Sequence, residues 1–121
     1  MATILIVEDE RNLNDAYQMI LKHEKHTVHA AYDSLDALEL TKQFEPDLIL
    51  LDLRMPKMGG VEFLKNYDLK GKHPGVKVVI FSNLDTQKEI DEAYKLGAEK
   101  YMLKAWASPK ELTQLVKSLL K

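Results

Sequence analysis

The sequence predicts a doubly wound α/β fold, a single parallel sheet with helices on both faces. Short apolar runs recur without the strict alternation of a half-exposed strand: ILIV at 4–7, DLILL at 47–51, VKVVI with Phe81 at 76–81, and KYML at 100–103. Near-continuous runs of this kind suit parallel strands buried on both faces. Helical periodicity fills the intervals, and no linker, repeat or low-complexity segment interrupts the 121 residues. Strands alternating with helices close through right-handed crossovers into one sheet.

Taken in order, the first run ends at Glu8-Asp9, and Leu13, Ala16, Tyr17, Ile20 and Leu21 then recur at helical spacing as one apolar stripe. TVHAAY at 27–32 is more polar than the other strands and suits a sheet edge. The run at 47–51 delivers Asp52 to its tip, and Pro56, Gly59 and Gly60 turn the chain immediately afterwards. The run at 76–81 ends in Ser82. Thr86 to Glu89 has the spacing of a capping box and Gly97 sits where a helix should stop, which predicts a helix over 86–97. Lys104 follows the strand at 100–103. Ser108-Pro109-Lys110-Glu111 supplies an N-cap serine, a proline at the first helical position and a glutamate at the third, opening a last helix over 108–120.

Composition excludes several functions. Seventeen basic and nineteen acidic residues nearly cancel, and without a basic run there is no nucleic-acid footprint. The absence of cysteine removes disulfides, thiolate metal sites and cysteine nucleophiles. The opening ATILIV is cut short by Glu8-Asp9-Glu10, too early for a signal core or a membrane span. The expectation is a cytoplasmic protein with no membrane contact, one domain over 1–121, burying roughly two-thirds of its unfolded surface.

In an open parallel sheet, ligands bind beyond the carboxyl ends of the strands. Four strands deliver polar residues to that edge: Glu8 and Asp9, Asp52, Ser82, and Lys104. Each has an ordinary explanation alone, as a cap, a turn former or a solvated lysine. Together they do not, because carboxylates crowded at close range repel by about 4 kcal/mol per pair in a medium of intermediate dielectric. A cation resolves the conflict. Oxygen-only ligands point to a hard ion, and a shallow site suits a partly hydrated Mg²⁺ better than Ca²⁺. With a lysine and a hydroxyl added, the set forms a cradle for a phosphoryl group, and Asp52 is placed to accept one as an aspartyl phosphate.

These residues resemble the receiver domain of bacterial two-component response regulators. VEDE at 7–10, LLDLRMPKMGG at 50–60, Ser82 after VVIF, and YMLK at 101–104 match its motifs in order and spacing over the whole chain. The resemblance implies a flavodoxin-like sheet of five strands in the order 2-1-3-4-5 with five helices. It implies that Asp52 is the phosphoacceptor, that Asp9 and Asp52 bind Mg²⁺ directly, that Glu8 acts through a metal-bound water, and that the Arg54 backbone carbonyl is a further ligand. Lys104 would meet the phosphoryl oxygens, Ser82 would hydrogen-bond one of them, and Tyr101 would turn inward as the switch aromatic. One departure stands out: the family usually has proline after the lysine, whereas Ala105-Trp106 follows here.

The function expected is a phosphorylation-dependent signalling module, not an enzyme acting on other substrates. It would take phosphate from a histidine kinase or phosphotransfer protein and present helix 86–97, Tyr101 and helix 108–120 to an output protein. The expected state is a monomer, with dimerisation on phosphorylation left open. Only Lys121 follows the last helix, so output is expected in a partner unless the chain is one domain of a longer regulator. An alternative is a receiver-like domain that binds without phosphorylation. A second is an aspartate-nucleophile phosphatase, disfavoured because Arg54 stands where a second acid would be needed. A flavin or nucleotide binder is weaker still, since EDERN replaces a phosphate loop.

Overall fold

Five parallel strands, β1 (Thr3–Val7), β2 (Thr27–Ala31), β3 (Leu48–Asp52), β4 (Lys77–Ser82) and β5 (Lys100–Leu103), form one sheet in the order β2-β1-β3-β4-β5. The computed structural model describes residues 2–82, 87–104 and 108–120, with Ser82 described by its backbone alone. The expected cap at Thr86 and the Ala105-Trp106 departure lie outside the described residues.

Alternation along the strands sorts the core into two layers. Ile4, Ile6, Leu48, Leu50, Val79 and Phe81 face α1 (Arg11–His23) and α6 (Pro109–Leu119), where they meet Tyr17, Leu21, Leu112 and Val116. Leu5, Val7, Ile49, Leu51, Val78 and Ile80 face the other way, toward α2 (Ser34–Leu40), α3 (Gly60–Tyr67), α4 (Leu69–Lys72) and α5 (Gln87–Lys95). Both layers are buried, which is why these strands read as apolar runs. Each fully buried Leu, Ile or Phe contributes about 1.5–3 kcal/mol of transfer free energy, so the sheet is a firm base for whatever it carries at its tips. The more polar TVHAA segment is an edge strand, as its composition predicts.

The helix ends follow local chemistry. Asp33 caps α2 through Asp36 N–H at 2.7 Å, and Ser108 caps α6 through Glu111 N–H at 3.2 Å. The third helical stretch is broken at Asp68, whose φ of 57° is left-handed, so α4 is a single further turn. After β3 the loop returns tightly: Gly60 N–H donates to the Leu53 carbonyl at 2.9 Å. A Cβ on Gly60 would stand 2.7 Å from the Asp52 carbonyl oxygen, and the close passage of α3 over the tip of β3 therefore requires glycine.

Candidate functional site

Register and alternation explain why the polar residues converge. Val7 pairs with Leu51, so Glu8 continues β1 beside Asp52. Asp52 pairs with Phe81 and Ser82 with Leu103, which sets Lys104 one step beyond the β4–β5 pairing. Glu8 lies two residues past Ile6, Asp52 two past Leu50, and Lys104 two past Met102, and all three predecessors belong to the α1–α6 layer. A period of two thus turns Glu8, Asp52 and Lys104 to one face.

Glu8 is 2% exposed and Asp52 3%. The Lys104 ammonium lies 3.0 Å from Glu8 Oε1 and 2.9 Å from Asp52 Oδ2. These are close ion pairs, and the one ammonium is shared between the two carboxylates. The other oxygen of each carboxylate is held by backbone: Glu10 N–H donates to Glu8 Oε2 at 3.0 Å, and Arg54 N–H to Asp52 Oδ1 at 3.2 Å. Asp9 completes the set at the exposed rim, and one oxygen from each of Glu8, Asp9 and Asp52 lies within 4.8 Å of the others. Asp9 does not cap α1: the N-cap position is Glu10, whose side chain makes no capping bond.

The electrostatics record the conflict. Burial first, and then the charge of Asp52, raise the Glu8 carboxyl to about 7. Burial raises Asp52 as well, against the opposing pull of Lys104. Burial would lower Lys104, yet Asp52 and Glu8 together hold it above its ordinary value. One ammonium does not balance three carboxylates, and burial makes the surplus costly. Glu8 Oε1 and Asp52 Oδ2 share that one ammonium, and with an oxygen of Asp9 close by they form a set of hard donors short of positive charge, so the residues present fit a divalent cation.

Tyr101 stands 42% exposed on the edge strand β5, beside the similarly exposed Tyr94 of α5. The structure therefore brings together Glu8, Asp9, Asp52 and Lys104 and leaves the Tyr101 ring outside. Ser82 ends β4 at the same sheet edge. One participant was missed by sequence reading: Glu89 of α5, whose Oε1 accepts from Arg54 Nε at 3.2 Å and Nη2 at 2.9 Å. Only the position of Arg54 two residues after Asp52 hinted at such a role.

The family model for the response regulator receiver domain matches residues 4–117, and the chain belongs to that family. Solved structures agree. A CheY-like response regulator receiver domain protein from Methanospirillum hungatei JF-1 superposes with a TM-score of 0.91 at 27% identity, covering 99% of this chain and 94% of that one. The receiver domain of NtrX from Brucella abortus gives 0.86 at 27% identity, covering 97% of each chain. Vibrio cholerae chemotaxis protein CheY4 gives 0.90 at 23% identity over 99% of each, a likeness of fold. The chain is a receiver domain of two-component signalling, and its acidic pocket fits a phosphorylation site with a divalent metal. No helix among the described residues is long and apolar enough to cross a membrane.

Proposed function

We propose that residues 1–121 act as one receiver unit in the cytoplasm that accepts a phosphoryl group on Asp52 in a Mg²⁺-dependent reaction. The observation that carries this reading is the pair of buried carboxylates, Glu8 and Asp52, sharing a single lysine, with the Asp9 carboxylate beside them. Asp9, Asp52 and the Arg54 carbonyl would hold the ion, with Glu8 acting through a water. Mg²⁺ would supply positive charge to the phosphoryl oxygens and lower the repulsion between them and the carboxylates.

The chain's own residues do the rest. An Asp52 carboxylate oxygen attacks the phosphorus of a phosphohistidine or small acyl phosphate. The bond from phosphorus to the donor nitrogen or oxygen breaks, and the donor keeps that electron pair. Arg54 N–H orients the Asp52 carboxylate through Oδ1, and Lys104, already at the carboxylates, is placed to meet the new oxygens. Ser82 would hydrogen-bond one of them. Arg54, engaged with Glu89, offers no acid for a leaving group, which argues against the phosphatase alternative.

The added group brings about −1.5 to −2 charges, and it favours conformers in which Lys104 and Ser82 approach it. Tyr101 then moves inward, and the surface formed by α5, Tyr101 and α6 changes for an output partner. Incubation with radiolabelled acetyl phosphate tests this reading. Label should need Mg²⁺, be released by hydroxylamine as an acyl phosphate is, and be absent from Asp52→Asn; label resistant to hydroxylamine would refute it.

A further inference from the structure

Arg54 and Glu89 link the loop after Asp52 to the first turn of α5 across 35 residues of sequence. The guanidinium sends Nε and Nη2 to the same oxygen, Oε1, instead of forming the two-oxygen fork that a planar guanidinium favours. The pair is also accessible, with the Arg54 side chain 52% exposed and that of Glu89 32%. Such pairs are weak and exchange readily. The backbone of Arg54 is nonetheless at the site, since its N–H already donates to Asp52 Oδ1.

We propose that the Arg54–Glu89 ion pair is a strap released by phosphorylation: it holds α5 to the β3–α3 loop in the unmodified chain, and a phosphoryl group on Asp52 draws Arg54 away and frees α5. This rests on the reading of Asp52 as phosphoacceptor. The exchange favours the phosphoryl group for two reasons. It carries more charge than the Glu89 carboxylate, and its three free oxygens permit the fork that Glu89 does not provide. Glu89 in turn loses its partner, and the first turn of α5 loses its tie to the loop. The helix has few other anchors, because Ile90 and Ala93 are its only buried residues among those described.

The test is amide hydrogen exchange over residues 87–95 in the wild type, Glu89→Gln, Arg54→Gln and the double variant, each free and with Mg²⁺ and beryllofluoride. Adduct formation is followed in the same samples by fluorine NMR. In the free proteins each single substitution should speed exchange about two- to fivefold, the range an exposed ion pair supports, and the double variant by less than the product of the two single effects. In the beryllofluoride adduct the wild type should rise to the same level and the variants should gain nothing. Wild-type exchange rates in the free single variants would overturn the strap, as would coupling between the two substitutions that survives in the adduct. Absence of any adduct on the wild type would instead overturn the phosphoacceptor reading, and with it the release step, while the free-state comparison still reports the ion pair.

Discussion

Lys104, Glu8 and Asp52 form a cluster with one cation too few, and substitutions within it should have opposite signs. Removing Lys104 strands two buried carboxylates, so Lys104→Met should destabilise the metal-free protein by about 3 kcal/mol, read from denaturant unfolding. Removing Asp52 instead leaves Glu8 and Lys104 matched one to one. Asp52→Asn should therefore keep the fold, with stability unchanged or raised by up to about 1 kcal/mol. A large loss in Asp52→Asn would show that the carboxylate is structural. Gly60 is constrained sterically instead: with 2.7 Å between a new Cβ and the Asp52 carbonyl, Gly60→Ala should cost about 1–3 kcal/mol and disturb the tip of β3. The convergence was legible because strand periodicity and register act over every residue of the sheet. The Arg54–Glu89 pair was not, since long side chains meeting across 35 positions leave no periodic trace.

Among the elements, α3 carries Tyr67, stacked on Phe63 and His73 and buried with a hydroxyl that finds no hydrogen-bond partner among the described residues. Burial first, and then the charge of Glu45, push its pKa up to about 12. A phenol whose folded pKa is raised contributes stability that is present below pH 10 and lost as pH rises toward 12. Tyr67→Phe should be neutral or mildly stabilising near pH 7, because it removes a buried polar group with no protein partner. Its advantage over the wild type should grow by about 2 kcal/mol toward the top of that window, as followed by circular dichroism. At the other end of the chain, Ser108→Ala should cost about 1 kcal/mol by removing the cap on α6. That cap was readable from Ser-Pro-Lys-Glu alone, whereas the break at Asp68 was not. A left-handed aspartate has no sequence signature as firm as glycine's.

For the whole molecule, the sheet is the rigid part and the strand tips are the working part. Alternating strands and helices announced the doubly wound fold, and the strand order follows from the family's likeness and from the observed pairing. The exposed position of Tyr101 could not be read from YMLK, because the edge location of β5 and the proximity of Tyr94 are properties of the assembled sheet. A ligand that binds only the folded state stabilises it by mass action, so Mg²⁺ at a hundred times its dissociation constant should add about 2.7 kcal/mol to the wild type. Much less should be gained by Asp52→Asn. The most direct test of the central claim is intact-mass spectrometry after incubation with acetyl phosphate, with and without Mg²⁺, beside Asp52→Asn. One phosphoryl adduct that requires both Mg²⁺ and Asp52 is the result expected. An adduct of equal yield on Asp52→Asn, or on the wild type without a divalent ion, would contradict it.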